Sequence, residues 1–210
     1  MDRRAFLITL ATAPVARGAS ADTPPGFAVF GIGGLGTKLQ HRLQGVLPGR
    51  GEFHVIDTAP AASALLGSAS FTLVTAEQST PAVYRPLLQA LPSDPKRVVV
   101  LVGLGGSAAG ASLIHLLDVL VAAETKPLVV AMTPMDGEGE RRNRDAGRLM
   151  VRLRYQEHVN TGCYFCVAQP WYESLLAESA GATVDHLFKI IEDRMLEVTD
   201  ERLTPWRQTV

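Results

Sequence analysis

Hydrophobic residues along this chain fall into short β-prone runs that are separated by longer amphipathic or glycine-rich stretches. The apolar runs predict strands at Phe27–Phe30, Phe53–Ile56, Phe71–Val74, Val98–Val102, Leu128–Met132 and Tyr164–Val167. The stretches between them predict helices over Thr37–Leu47, Pro81–Leu91, Ala108–Glu124, Glu138–Arg154, Pro170–Glu178 and Thr183–Val198. Strand and helix therefore alternate along most of the chain, which is typical of an α/β protein.

The run Val98–Val102 contains no polar position. A strand that is hydrophobic on both faces is typical of the centre of a parallel sheet, because helices cover such a sheet on each side. We therefore predict a Rossmann-like α/β fold, with a doubly wound, mostly parallel sheet of about six strands and helices on both faces.

Composition narrows the class of protein. The chain has 210 residues, of which 47% are hydrophobic and 20% charged, as expected for a single globular domain. Lys and Arg number 20 against 21 for Asp and Glu, so no basic excess indicates a nucleic-acid partner. No apolar run reaches the roughly 18 residues of a spanning helix, so no integral membrane domain is predicted.

The N-terminus has the pattern of an export signal. Arg3 and Arg4 precede the apolar run Ala5–Ala13, and the small residues Ala19-Ser20-Ala21 offer a cleavage site. The pattern resembles a twin-arginine signal and predicts a periplasmic protein; the alternative is a short extension on a cytoplasmic one. We divide the chain into an N-terminal extension (1–25), a folded domain (26–200) and a tail (201–210).

A glycine-rich segment, Gly31-Ile32-Gly33-Gly34-Leu35-Gly36, follows the first predicted strand. Its backbone N–H groups are predicted to face an anion at the start of a helix near Thr37, and phosphate is the natural anion. Read alone, the segment is also GxGxxG, and Asp57 lies where a dinucleotide-binding fold places its ribose-binding acid. Two alternatives therefore remain at this point. The segment binds NAD in an oxidoreductase, or it is a turn that only packs the strand against the helix.

Two further segments follow later strands. The second glycine-rich segment, Gly103–Gly110, lies between an apolar strand and a helix, so a second helix N-terminus is predicted to face the same polyphosphate. The third, Pro134–Arg142, brings Glu138 and Arg142 to the same edge of the sheet, where they are suited to ribose and phosphate. Because GxxxxGK[ST] is absent, the protein is not a P-loop NTPase.

These segments, in this order, resemble the nucleotide-binding domain of the tubulin/FtsZ family. The resemblance covers about Gly26–Val198: GIGGLGTKL is similar to the family's first glycine-rich loop, VIDTAPAASAL to the segment after its second strand, VGLGGSAAGAS to the tubulin signature loop, and TPMDGEGERR to PFxFEGxxR. It implies that 26–200 binds GTP or GDP, with or without Mg²⁺, and that the chain self-associates or binds an FtsZ-like partner.

The resemblance also implies roles for individual residues. The predicted nucleotide-binding set comprises Gly31, Gly33, Gly34, Gly36, Gly103, Gly105, Gly106 and Ser107 at phosphate, Glu138 and Arg142 at ribose or phosphate, and Asp185 at the guanine base. For Asp185 the alternative is a residue favoured only by the dipole of its helix. No catalytic residue and no metal ligand is predicted.

The chain departs from the family pattern at several points. Ala108 and Gly110 stand where the family has threonines, which leaves Ser107 as the hydroxyl donor in the second segment. The family's catalytic acidic loop and second domain have no counterpart here, and Asp200 and Glu201 are poor substitutes. We therefore predict nucleotide binding with weak or no GTP hydrolysis; the remaining alternative is an interaction module that kept the fold without the ligand.

Cys163 and Cys166 are the only cysteines, and their CxxC spacing suits a redox pair or half of a metal site. They also lie in an apolar run that predicts a buried strand. In such a strand, cysteine acts as a small hydrophobic residue, and this is the interpretation we favour.

Overall fold

The computed structural model describes residues 26–46, 51–59, 70–75, 77, 79–94, 97–155, 162–178 and 183–207. The expected signal (1–25) and most of the connection after Asp57 (60–69) lie outside the described residues. No helix in the described ranges is both long and apolar enough to cross a membrane.

The strands form one sheet. They are β1 (Phe27–Ile32), β2 (Gly51–Asp57), β3 (Ser70–Leu73), β4 (Val98–Gly103), β5 (Leu128–Met132) and β6 (Gly162–Cys166). All neighbouring strands pair in parallel, in the order β3-β2-β1-β4-β5-β6. The predicted Rossmann-like fold, with its six-stranded parallel sheet, is confirmed.

The helices lie on both faces of the sheet. They are α1 (Gly33–Val46), α2 (Pro81–Tyr84), α3 (Ser107–Ala122), α4 (Glu140–Tyr155), α5 (Ala168–Glu178) and α6 (Val184–Arg207), with 3₁₀ turns at Arg85–Ala90 and Asp136–Glu138. One core joins the even-numbered residues of β1 to α2, α3 and α4. The other core joins Val29 on the opposite face to α1, α5 and α6.

The first helix begins four residues earlier than predicted. Gly31 and Ile32 belong to β1, and Gly33–Gly36 form the first turn of α1, so the segment is not an extended loop before Thr37. The cause is close packing. A Cβ on Gly36 would lie 2.4 Å from the carbonyl oxygen of Leu101, so glycine lets α1 start directly against the sheet.

Other helix ends also differ from the prediction. The predicted helix Pro81–Leu91 is one α-turn followed by a 3₁₀ turn, because Pro86 has no N–H to donate to an α-helical hydrogen bond. The predicted helix from Glu138 is interrupted at Gly139, whose φ is +100°. The last helix continues past the predicted end at Val198, and the hydroxyl of Thr199 donates to the carbonyl of Met195 at 2.7 Å within it.

Candidate functional site

The strand order creates a crevice between β1 and β4. From β1 the chain proceeds outward through β2 to β3, and from β4 it proceeds in the opposite direction through β5 to β6. In open α/β sheets, ligands bind at such a reversal, beyond the carboxyl ends of the strands. Both glycine-rich segments follow these two strands, and Pro134–Arg142 follows β5 at the same edge.

Within the first segment, two glycines are required by packing alone. A Cβ on Gly31 would lie 2.5 Å from the carbonyl oxygen of Gly36, and one on Gly36 would lie 3.0 Å from the carbonyl carbon of Gly31. Real Cβ atoms do not tolerate such distances, so both residues hold α1 against β1 and β4. This contact explains their identity without a ligand.

The other two glycines of this segment differ from each other, and only Gly34 faces open space. Gly33 has a φ of +70°, and a Cβ there would lie 3.4 Å from the Cβ of Ala108 at the start of α3. A Cβ on Gly34 would meet nothing within 4 Å. Packing therefore does not require glycine at position 34, and its backbone can be approached by a ligand.

The second segment combines packing and open positions in the same way. A Cβ on Gly103 would lie 3.2 Å from the side chain of Leu35, and one on Gly105, whose φ is +79°, would lie 2.3 Å from the carbonyl oxygen of Arg142. Gly106 is the N-cap of α3, and the nearest atom to a Cβ there would be 3.8 Å away. The N-terminus of a 16-residue helix thus opens directly onto the crevice.

Two hydroxyl groups meet across this end of the crevice. Thr58 follows β2, Ser107 begins α3, and their Oγ atoms lie 3.0 Å apart in an exposed contact. Ser107 belongs to the predicted set, whereas Thr58 was missed. Its only signal was its place in VIDTAPAASAL, because the approach of β2 and α3 is not local in sequence.

Asp57 is buried and has a local role. Its Oδ1 accepts hydrogen bonds from the backbone N–H of Thr58 at 2.6 Å and of Ala59 at 3.0 Å, and its exposed fraction is 7%. An aspartate that closes a turn in this way at a strand end is common in proteins without any ligand. The geometry accounts for Asp57 and adds nothing to the NAD alternative.

In the third segment, the two predicted residues contact each other. Glu138 Oε2 pairs with the guanidinium of Arg142 at 2.8 Å, and Glu138 Oε1 accepts from the N–H of Met135 at 2.9 Å. The backbone of Arg142 also packs over Gly105, so the second and third segments are in contact. The arginine side chain stays 45% exposed at the edge of the crevice.

Asn143 holds the third segment together, and no sequence pattern indicates this role. Its amide Nδ2 donates to the carbonyl oxygens of Met135 at 3.1 Å, Gly139 at 3.2 Å and Asp136 at 3.4 Å. These contacts fix the turn that carries Glu138. The last predicted residue, Asp185, is in the first turn of α6, and its side chain lies outside the described residues.

No protein family matches the sequence, and no curated protein is similar to it. Among solved structures, an FtsZ dimer from M. jannaschii superposes with a TM-score of 0.63 at 16% identity, covering 85% of this chain and 54% of that one.

The phage tubulin PhuZ with GDP gives a TM-score of 0.61 at 13% identity, over 89% of this chain and 58% of its own. A TubZ protofilament from bacteriophage PhiKZ gives 0.60 at 10% identity, over 88% and 58%. This chain has the tubulin/FtsZ fold. It spans a little over half the length of these structures, and they lend no support to the NAD alternative.

The two cysteines of β6 lie on opposite faces of the sheet. Cys163 packs against the core that contains α3 and α4, whereas Cys166 is buried in the core that contains α1 and α6. Both are free thiols. The spacing of three residues reverses the side-chain direction in a strand, so neither a redox pair nor a shared metal site is formed. The interpretation as small hydrophobic residues is confirmed.

Burial predicts an inert thiol at Cys166. Desolvation raises the pKa of this thiol to about 12, and it also raises the pKa of Cys163. The Cys166 thiol ionises at a lower pH in the unfolded chain than in the folded one. The stability that comes from keeping this thiol protonated in the fold is therefore complete below the ordinary thiol pKa, and it is lost as the pH rises toward 12. At pH 9, we expect iodoacetamide to alkylate Cys166 at least tenfold more slowly in the native than in the urea-unfolded protein, measured by peptide mass spectrometry. Equal rates would contradict the buried position.

Proposed function

We propose that this domain binds a guanine nucleotide, GTP or GDP, with or without Mg²⁺, in the crevice between β1 and β4. The observation that carries the proposal is the pair of open glycines, Gly34 in the first turn of α1 and Gly106 at the N-cap of α3. Two helix N-termini then face one polyphosphate, each supplying unsatisfied N–H groups and a positive dipole end.

We propose two roles for the predicted glycines and Ser107, and the packing around them supports this division. Gly33, Gly34, Gly106 and Ser107 are proposed to contact phosphates, because they border the crevice. The other glycines are proposed to shape the site without contacting phosphate, because their missing side chains let α1 and the third segment approach the strands closely. These glycines are Gly31, Gly36, Gly103 and Gly105. Thr58 is added to the phosphate set because its hydroxyl lies against that of Ser107.

We propose that Glu138 and Arg142 exchange partners when nucleotide binds. In the described structure they form an ion pair that is partly exposed to solvent, and such pairs contribute little to stability. Ribose hydroxyls can replace the arginine at Glu138, and a phosphate can replace the glutamate at Arg142. Guanine recognition by Asp185 rests on the family resemblance alone.

Hydrolysis is proposed to be weak or absent. Phosphoryl transfer requires a group that orients water and further charges that stabilise the transition state. Ala108 and Ala109, in the first turn of α3, are buried and carry no hydroxyl.

Calorimetric titration of the full chain with GTP, GDP and NAD, in buffer with Mg²⁺ and then with EDTA, tests the proposal. We expect saturable binding of GTP and GDP and none of NAD, with release of inorganic phosphate close to the buffer rate. Saturable NAD binding, or a folded protein that binds neither guanine nucleotide, would overturn the proposal; the second result would identify an interaction module that kept only the fold.

A further inference from the structure

The helix α4 carries a concentrated positive charge on a protein that is slightly negative overall. Six arginines and two acidic residues give α4 a formal charge of +4, whereas the whole chain has −1. The rest of the molecule therefore carries −5. The proposed nucleotide site does not account for this asymmetry, because only Arg142 of these arginines borders it; Arg154 instead lies 5.1 Å from the ring centroid of Phe165 in β6.

Part of this charge forms a compact exposed surface. Arg144, Arg148 and Val151 are spaced at i, i+4 and i+7, so they lie together on one face of α4, about 10 Å long. Val151 is 57% exposed, which is high for a large apolar side chain. Arg148 is 72% exposed, and its ion pair with Asp145 at 3.4 Å is therefore weak. We call these three residues the α4 surface.

A surface of complementary chemistry lies on the other face of the sheet. Between α5 and α6 is a groove of about 410 Å³ whose apolar lining includes Trp171, Leu175 and Ile190. Glu178 and Glu197 also line it, together with Arg194. Arg194 is paired with Glu197 at 2.8 Å, but Glu197 stays 59% exposed. The groove thus offers an apolar floor with carboxylates beside it.

We propose that the α4 surface of one copy docks in the α5–α6 groove of a second copy. Val151 enters between Trp171 and Leu175, and the guanidinium groups of Arg144 and Arg148 meet Glu178 and Glu197. Apolar content and charge agree in this contact, and the ion pairs that Arg148 and Glu197 make within one molecule are exposed to solvent. Arginine suits it because its planar group binds carboxylates in two-point contacts.

The position of the two surfaces determines the kind of assembly. The buried side of α4 packs against one face of the sheet, and α5 and α6 pack against the other. Such a contact is heterologous, so a pair of copies keeps one unused surface of each kind and the association continues to a ring or an open array. The contact uses neither glycine-rich segment, so it is independent of nucleotide and goes beyond the proposed function.

Charge reversal in two complementary variants tests this contact. Variant X carries Arg144→Glu and Arg148→Glu, and variant Y carries Glu178→Arg and Glu197→Arg; Lys126→Glu, an exposed site after α3, is the charge control. Sedimentation velocity of the full chain is measured at about 20 mM and about 500 mM salt, because the higher concentration screens surface charges. Thermal unfolding checks that every variant folds.

We expect the wild type and Lys126→Glu to associate with rising concentration at low salt and to dissociate at high salt. X and Y should each be monomeric, whereas an equimolar mixture should associate again. In the mixture, the glutamates on α4 of X meet the arginines in the groove of Y, and the arginines on α4 of Y meet the glutamates in the groove of X. Adding GDP should leave these results unchanged. A monomeric wild type at low salt, or a mixture that stays monomeric, would overturn the proposal. The proposal would also be overturned if the wild type bound vesicles of anionic phospholipid and did not self-associate. That result would assign the α4 surface to a membrane.

Discussion

Gly106→Asp is expected to abolish nucleotide binding in a protein that is as stable as the wild type. Gly106 is the N-cap of α3, with extended backbone angles of −78° and 157° and no side chain to cap the helix. Aspartate is among the preferred residues at this position and should add a few tenths of a kcal/mol to stability. Its carboxylate, however, would take the N–H groups and the positive helix end that the proposal assigns to phosphate.

The expected loss is at least 100-fold in Kd for GDP, or about 2.7 kcal/mol. Gly106→Asn is the matched control, because asparagine has nearly the same shape and caps the helix without a charge. We expect the asparagine variant to lose no more than about tenfold in affinity. Urea unfolding and calorimetry on the same samples separate the two effects. Equal GDP affinity in wild type and Gly106→Asp would remove the phosphate site from the N-terminus of α3.

Gly36→Ala is expected to cost the domain much of its stability, although alanine is the better helix former. The added Cβ would lie 2.4 Å from the Leu101 carbonyl oxygen on one side and 3.0 Å from the Gly31 carbonyl carbon on the other. Both neighbours are backbone atoms of central strands and cannot rotate away. The helix must therefore move off the sheet, which we expect to reduce the free energy of unfolding by about 3 kcal/mol or more.

Gly45→Ala is the control for helix propensity. Gly45 lies in the same helix, is exposed, and a Cβ there would meet nothing within 4 Å. Alanine at this position should stabilise the protein by about 0.5 to 1 kcal/mol. The free energies are measured by urea unfolding. If Gly36→Ala were as stable as Gly45→Ala, the close contact between α1 and the two strands would be disproved.

The surroundings of Gly34 and Gly36 show why a glycine motif alone was ambiguous. In the sequence, Gly34 and Gly36 belong to one pattern, and that pattern suits phosphate binding, NAD binding or a tight turn. In the structure, Gly36 faces Leu101 of β4, whereas Gly34 faces open space. The difference depends on β4 lying beside β1, a pairing between residues more than sixty positions apart.

The two segments that follow β4 and β5 show the same limit. The sequence placed Arg142 at the crevice through the family resemblance, but it did not show that the backbone of Arg142 covers Gly105. Nor did it indicate the hydroxyl contact of Thr58 with Ser107 or the three hydrogen bonds of Asn143. Each contact joins or orders segments whose distance is decided by how the strands assemble.

The sequence by itself determined the class of fold. Continuous apolar runs such as Val98–Val102 can be buried on both faces only in a covered parallel sheet, so their alternation with amphipathic stretches predicted the strands and helices. Only the tertiary structure decided where α1 begins, which glycines are needed for packing, and which face the crevice. Those properties depend on distances between backbones from different strands, and such distances are set by the complete sheet rather than by any local pattern.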